Sequence, residues 1–185
     1  METINLQLIP YKNNNGEIKK YHIVNQNNSL PLFDICNVFS QFGRQTDSDH
    51  KTTNIMTQHR LNICFSCEQI GQKNKPYVEL INIIQNIENY FSSFNELKNM
   101  KIISNIIDRK EYGVVIRFHL KTYKNKTTTP LININKNKEY IVEWVQFDKN
   151  KHFDFKFHPD CLWIDEKNNK FGISLAIDKV FQIIS

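Results

Sequence analysis

The chain has 185 residues, and its 24 basic and 19 acidic side chains give a formal net charge of +5. This length allows one good-sized domain or two small ones, and a hydrophobic content of 40% is enough for a real core. No apolar run is long enough to span a membrane, and the N-terminus lacks the features of a signal peptide. We therefore expect an intracellular protein, neither secreted nor membrane-bound, with four reduced cysteines.

The positive charge favours anionic partners, and nucleic acid first. The composition offers a second explanation, because the chain is rich in Asn, Lys and Ile, whose codons are AT-rich. An AT-rich genome would give a basic balance without selection for binding. The same bias suggests a parasite, a symbiont or a large insect-type virus as the source, so the expected location is the host nucleus or a site of viral replication.

The N-terminal half, residues 1–100, predicts a β-hairpin followed by two or three helices. Apolar alternation over Ile4–Ile9 and Ile18–Val24 predicts two strands, joined by an asparagine-rich turn. Leu30–Phe42 has apolar residues at helical spacing, which predicts a short helix. The polar stretch Arg44–Arg60 has no clear period and fits either an ordered functional loop or a flexible one.

Three further elements complete this half. Leu61–Phe65 is predicted as a strand. Tyr77–Phe91 is the strongest helix, because its apolar residues form one continuous stripe. Ser93 and Glu96 have the spacing of a capping box and predict another short helix that ends at Met100.

From residue 101 the period changes to two, which predicts consecutive β-strands up to residue 185. These strands cover Tyr112–Tyr123, Leu131–Ile134, Glu139–Phe147, Phe153–Phe157, Leu162–Ile164 and Gly172–Ile184. Glu139–Phe147 is apolar on both faces and is predicted as a central strand. Lys179 interrupts the last apolar face, which predicts a β-bulge or a lysine facing a groove. The fold class is thus α+β, mainly antiparallel β, with a boundary near residues 92–101 or one compact unit.

The segment His152–His158 places three phenylalanines on one face and four polar residues on the other. Such a clean alternation predicts that the phenylalanines belong to the core. Aromatic rings that stack on bases, beside basic groups that contact phosphates, are what a single-stranded nucleic acid groove requires. Candidate groups of this kind are Lys121, Lys124 and Lys126, with Tyr123, Trp144, Phe147 and Trp163 as stacking surfaces.

A zinc site is one alternative. Cys64 and Cys67 form a CxxC motif, and His50 and His59 lie nearby, so four zinc ligands can be proposed. A single CxxC without a second pair is a weak signal, and packed thiols are the better interpretation.

Two other polar groups suggest catalysis. A metal or acid–base role can be proposed for His152, His158, Asp160 and Cys161, although a solvated strand face explains them better. Asp108 and Asp165 suggest a Mg²⁺-dependent nuclease, but the required order of residues is absent and charged turns account for both. The chain has no glycine-rich phosphate loop and no Gly-x-Ser-x-Gly motif. We therefore predict no enzyme activity and no cofactor.

The order of the C-terminal strands, closed by Phe171–Ile177 with its Gly-x-Ser-hydrophobic pattern, resembles the OB-fold single-stranded DNA-binding proteins of large DNA viruses. The resemblance covers about residues 100–184. It implies a five-stranded barrel whose groove binds the backbone with lysines and stacks bases on aromatics. The positions to which it assigns this role are Arg117, Lys121, Tyr123, Lys124, Trp144 and Lys156.

The N-terminal half departs from that family. Its hairpin, its Leu32–Phe42 helix and the segment Pro76–Leu80 resemble the N-terminal DNA-binding domain of baculovirus repeated-ORF proteins. This second resemblance ranks lower, because the tryptophan-containing strand that precedes the helix in that family is absent here.

The sequence thus predicts an OB-like barrel in residues 101–185 that binds single-stranded DNA without sequence readout, during viral DNA replication. The predicted contact residues are Arg117, Lys121, Tyr123, Lys124, Lys126, Trp144 and Lys156. The alternative is a viral structural or protein-interaction module, either a virion component or a host-factor binder, with no role in nucleic acid binding. The choice between DNA and RNA, and the formation of a homo-oligomer, stay open.

Overall fold

The computed structural model describes residues 5–11, 18–39, 44–48, 57–65, 75–109, 113–124, 126–136, 138–148 and 151–183. The strands in these ranges are β1 (Leu6–Pro10), β2 (Ile18–Asn25), β3 (Phe33–Phe39), β4 (Arg44–Ser48), β5 (Thr57–Phe65), β6 (Lys101–Ile103), β7 (Ile106–Arg109), β8 (Gly113–Leu120), β9 (Thr122–Tyr123), β10 (Lys126–Thr127), β11 (Leu131–Asn135), β12 (Lys138–Val142), β13 (His152–Asp165) and β14 (Lys170–Ile183). The helix α1 spans Lys75–Ser92. None of the helical segments described is long and apolar enough to cross a membrane.

Twelve of these strands form one sheet, whose main path runs β1-β2-β13-β14-β8-β5-β4. Within the described ranges the path ends at β1 and β4, which do not pair with each other. The sheet is therefore not closed, and the prediction of an OB-like barrel is wrong. The reason lies in β13 and β14, which are 14 residues long and take different partners at their two ends. The sheet branches at these strands instead of closing.

A β-bulge divides β14. Asp178 has no partner on β13, because Lys156 pairs with Lys179 and Phe157 pairs with Ile177. The extra residue reverses the alternation beyond it. Val180 is consequently buried, whereas Ile183, predicted on the apolar face, is 67% exposed. The bulge predicted near Lys179 is confirmed.

The helix α1 confirms the prediction for Tyr77–Phe91. Its buried side chains follow the helical spacing, and they are Tyr77, Leu80, Ile84, Ile87, Glu88 and Phe91. The Tyr90 hydroxyl accepts a hydrogen bond from the Leu6 N–H at 3.2 Å and donates one to the Leu6 carbonyl at 3.0 Å. Buried Glu88 accepts hydrogen bonds at 2.8 Å from the Ser104 hydroxyl and the Asn105 N–H. These contacts join the C-terminal part of the helix to β1 and to the connection between β6 and β7.

The predicted Leu30–Phe42 helix is wrong, because its described centre is strand β3, which pairs with β13. The stripe that suggested a helix was Leu32, Ile35, Cys36 and Phe39, but Leu32 and Cys36 are exposed. The buried residues of β3 are Ile35 and Val38, which are three positions apart. A bulge produces that spacing. Asn37 adopts a positive φ of 59°, and its N–H donates to Asp154 Oδ1 at 2.8 Å. The extra residue turns both apolar side chains to the same face.

Two other element predictions are wrong. Residues 93–100 form successive turns instead of a helix, with i to i+3 hydrogen bonds such as Leu97 N–H to the Phe94 carbonyl at 2.9 Å. Glu139–Phe147 is not a central strand. Its first part belongs to β12, which pairs only with β11 among the described strands, and Trp144–Gln146 forms a 3₁₀ turn. The apolar residues on both faces of this segment therefore belong to an exposed edge strand and not to a central strand.

Two further strand predictions have wrong bounds. Phe153–Phe157 and Leu162–Ile164, predicted as two strands, form the single strand β13, and the predicted strand Tyr112–Tyr123 is divided between β8 and β9. The remaining strand predictions agree with the structure where it describes them. β1 and β2 form the expected antiparallel hairpin, whose turn lies outside the described residues. Leu61–Phe65 lies in β5, as predicted. The polar stretch Arg44–Arg60 was predicted as a loop, and this is wrong where the structure describes it, because it contains β4 and the start of β5. Leu131–Ile134 lies in β11. One hydrophobic core draws on both halves of the chain, with Phe91 from α1 and Phe155 from β13 in the same cluster.

Candidate nucleic-acid interface

The two faces of strand β13 carry chemically different side chains. Its inner face carries Phe153, Phe155 and Phe157, which are at most 2% exposed, as the alternation predicted. Phe118 of β8 packs edge-on against two of these rings at 5.2 Å. The phenylalanines are therefore core residues. The opposite side, which we call the outer face, carries the polar residues of the same strands.

A short two-stranded hairpin, β9–β10, leaves the main sheet at the end of β8 and pairs with none of its described strands. Buried Thr129 fixes its base, because the Thr129 hydroxyl accepts from the Lys121 N–H at 2.7 Å and donates to the Ile177 carbonyl at 3.3 Å. The Thr128 N–H donates to the Lys121 carbonyl at 2.7 Å. We call the segment 121–127 the basic hairpin.

The basic hairpin brings four of the predicted contact residues together. Tyr123 is 66% exposed, and Lys124 Nζ lies 5.4 Å from the centroid of its ring. Lys124 reaches this position from a positive φ of 47°, at the turn between the strands. Lys121 and Lys126 are exposed on either side. Tyr123 thus exposes its aromatic ring to solvent, and three lysines lie within three residues of it in the sequence.

Carboxylates occupy part of the outer face. Lys121 Nζ lies 3.2 Å from Asp178 Oδ1, and the bulge in β14 is what leaves Asp178 free to turn towards it. On the other side of β14, Lys156 Nζ lies 2.9 Å from Asp34 Oδ1. The hydrogen bond with Asp34 raises the pKa of Lys156. Positive and negative groups therefore alternate across the sheet.

Lys156 does not join the basic hairpin. It lines a groove of ≈ 370 Å³ together with Asp34, Asp154 and Glu139. Cys36 lines the same groove, and burial raises the pKa of its thiol, helped by Asp154 and Asp34. With three carboxylates and one paired lysine, this groove repels phosphate.

Trp144 and Arg117 are not part of the basic hairpin either. Trp144 is only 8% exposed, its Nε1 donates to the Thr129 carbonyl at 2.7 Å, and its ring stacks on Phe147. The stacking role predicted for Trp144 and Phe147 does not fit these positions. Arg117 is half-buried on the outer side of β8, and its buried Nε has no hydrogen-bond partner among the described residues.

Trp163 provides an aromatic surface that the predicted contact set omitted. It lies on the outer face of β13, opposite Gly172, and is half-buried. A Cβ placed on Gly172 would lie 2.4 Å from Trp163 Cζ2 and 2.7 Å from Cε2. The indole therefore approaches the β14 backbone too closely for a side chain at position 172, and glycine allows that approach. The tryptophan and the facing glycine were both visible in the sequence, but their pairing was not.

A second aromatic contact lies on the neighbouring strands. Tyr11 stacks on His22 with ring centroids 3.7 Å apart and an interplanar angle of 16°. His22 pairs with Cys161, so both lie on the outer face. Burial, with the nearby charge of Asp160, raises the pKa of Tyr11 to about 12. This phenol stays neutral at any physiological pH.

His158 corrects another prediction. It was expected on a solvated face, yet it is 1% exposed, and its Nδ1 has no partner among the described residues. His158 follows Phe157 of the inner face, so it lies on the outer face of β13 and is buried there by packing. His158 Nε2 lies 3.7 Å from Asp160 Oδ1, and this interaction holds the pKa of the Asp160 carboxyl below its usual range.

Metal chemistry finds no support in the part of the chain that is described. No group of three or more His, Cys, Asp or Glu side chains could hold a metal ion there. Asp165 accepts hydrogen bonds from Asn168 and lies 3.4 Å from Lys170 Nζ, so it stabilises the β13–β14 turn as expected. His50 and Cys67 lie outside the described residues, and the side chains of His59 and Cys64 are not described, so the zinc hypothesis stays a hypothesis.

No protein-family model matches this sequence, and no curated protein matches it. Among solved structures, the chain is similar to the single-stranded DNA-binding protein from bacteriophage Enc34 in complex with ssDNA. The two are 11% identical, and the match covers 95% of this chain and 94% of the other with a TM-score of 0.41. A TM-score of this size is too low to establish a shared fold or a shared function.

Proposed function

We propose that the protein binds single-stranded nucleic acid without sequence readout and without catalysis, through the basic hairpin. The observation that carries the proposal is Tyr123, two-thirds exposed, with the ammonium group of Lys124 over its ring and Lys121 and Lys126 beside it. An exposed ring offers a stacking surface for any base, and adjacent lysines pair with the phosphates.

The outer face offers a continuation of the same path. From Asp178, beside the hairpin, to Gly172 under Trp163, the strand β14 extends about 20 Å at ~3.3 Å per residue. The Tyr11–His22 stack lies beside this line, since His22 pairs with Cys161 and Cys161 pairs with Ser174. A single strand that leaves Tyr123 would therefore meet further aromatic surfaces along β14.

The proposal extends to single-stranded DNA and to viral DNA replication inside a host cell. The abundance of Asn, Lys and Ile, whose codons are AT-rich, suggests a large insect-type virus among the possible sources and supports this setting. Comparing oligo-dT with oligo-U of equal length tests the choice of nucleic acid.

Fluorescence anisotropy with labelled oligo-dT at low salt tests the binding site. Tyr123→Ala should weaken binding by about 5- to 150-fold, because stacking of one base contributes about 1–3 kcal/mol. Tyr140→Ala is the matched control, since Tyr140 is also exposed, at 51%, and lies on β12 away from the hairpin. Absence of oligo-dT binding by the wild type, or equal affinities of the two variants, would contradict the proposal.

The salt dependence gives an independent test. Each phosphate contact of a lysine should contribute about 0.7 to the slope of log K against log salt for a single strand. Lys124→Gln and Lys126→Gln should each reduce the slope by about that amount. Lys98→Gln, in the exposed turn after α1, should leave it unchanged.

A further inference from the structure

The strand β12 is an open edge of the sheet. It pairs with β11 on one side and with no described strand on the other. Its side chains are nearly all exposed, with Tyr140 at 51% and Ile141 at 79%. An edge of this kind presents unpaired N–H and C=O groups that can pair with another strand.

Exposed apolar residues collect at the same edge. Val145, in the 3₁₀ turn after β12, is 81% exposed, and Ile183, at the end of β14, is 67% exposed. Ile183 is joined to the edge through β11, where Ile134 pairs with it and Ile132 pairs with Ile141. Val145, Ile141 and Ile183 are the three most exposed large hydrophobic residues of the described chain. Such clustering marks an interaction surface.

We infer that this edge binds a second copy of the chain, with the two β12 strands antiparallel about a two-fold axis through Tyr140. An isologous contact requires a surface that is complementary to itself. The two-fold axis keeps the faces of both sheets aligned, so Tyr140 faces its own copy, Glu139 faces Ile141, and Lys138 faces Val142. A cross-strand tyrosine pair is favourable.

The charges favour this orientation. Lys138 begins the strand and Glu143 follows its last residue. Antiparallel pairing brings the lysine end of one copy beside the glutamate end of the other, twice by symmetry. Parallel pairing would place like charges together. A second copy therefore suits the edge better than an unrelated extended peptide, and none of the paired residues belongs to the basic hairpin.

Analytical ultracentrifugation over a concentration series tests this inference. The wild type should show a monomer–dimer equilibrium, and Ile141→Asp should weaken it by about tenfold or more, since two buried carboxylates would face the interface. Leu32→Asp is the control, because Leu32 is 49% exposed in the loop before β3 and should not affect the equilibrium. Val145→Asp provides a second variant at the edge if Ile141→Asp folds poorly.

Charge reversal identifies the register. Lys138→Glu alone should weaken the dimer, and the double variant Lys138→Glu with Glu143→Lys should restore it. A wild type that stays monomeric at every concentration overturns the inference, as does a dimer that the edge variants leave unchanged. Oligo-dT binding is measured on the same variants and should survive dissociation of the dimer, so failure of the nucleic acid proposal is distinguishable from failure of this one.

Discussion

The inner and outer faces of β13 have the same backbone and opposite chemistry. On the inner face, three consecutive alternate positions are phenylalanines that pack with Phe118 in the core. On the outer face, the corresponding positions carry Lys156, buried His158 and half-buried Trp163, each with a different kind of partner. Uniform packing on one face stabilises the fold, and the varied contacts on the other leave room for a binding surface. Substitutions on the two faces should therefore differ in the size of their effect and in the property that they change.

The largest effect is expected on the inner face. Phe155→Ala should lower the free energy of unfolding by about 3–5 kcal/mol, because the lost ring leaves a cavity between three aromatic neighbours. Chemical denaturation measures it. The neighbouring Lys156→Ala, on the outer face, removes an ion pair with exposed Asp34 and should move the midpoint far less. Equal losses from the two variants would mean that the faces do not divide as the burial indicates.

An intermediate effect is expected where the outer face is most closely packed. Gly172→Ala should cost about 1–3 kcal/mol, because the new methyl overlaps the Trp163 indole. The φ angle of Gly172 is not positive, so alanine can adopt the same backbone conformation. The cost should therefore come from the overlap with the indole.

A double-mutant cycle isolates that contact. In a Trp163→Ala background, Gly172→Ala should lose most of its cost, since the overlapping ring is gone. A cost that persists in the double variant would place the effect elsewhere than the indole.

The smallest effect depends on pH. Folding lowers the pKa of Asp160, so the ionised carboxylate stabilises the protein above its unfolded pKa of about 3.9, and this contribution is lost as the pH falls through the lower, folded value. Asp160 is partly exposed, so the contribution should be below about 1 kcal/mol. Asp160→Asn should flatten the acid side of the stability curve, measured by denaturation from neutral pH downwards. The exposed Asp108→Asn serves as control and should leave that side of the curve as it is.

Periodicity alone predicted the elements whose burial is regular. The stripe along α1 and the alternation along β8 depend on neighbouring positions of one element, and the structure places both as expected. Lys121, Tyr123, Lys124 and Lys126 come together because they are close in the chain, but periodicity did not predict that they form a hairpin. Predictions failed where a bulge or tertiary packing overrode the local pattern. The extra residue at Asn37 turns Ile35 and Val38 of β3 to the same face, and packing buries His158 on the outer face of β13.

By itself, the sequence determined which segments bury apolar side chains, that β-structure dominates residues 101–185, and that an aromatic residue among lysines follows β8. Only the tertiary structure decided the rest. It left the sheet open, neutralised Lys121 with Asp178 and Lys156 with Asp34, removed Trp144 to the core, and placed Trp163 on Gly172. The physical reason is that burial patterns are local, whereas strand partners, ion pairs and close approaches join residues far apart in the chain.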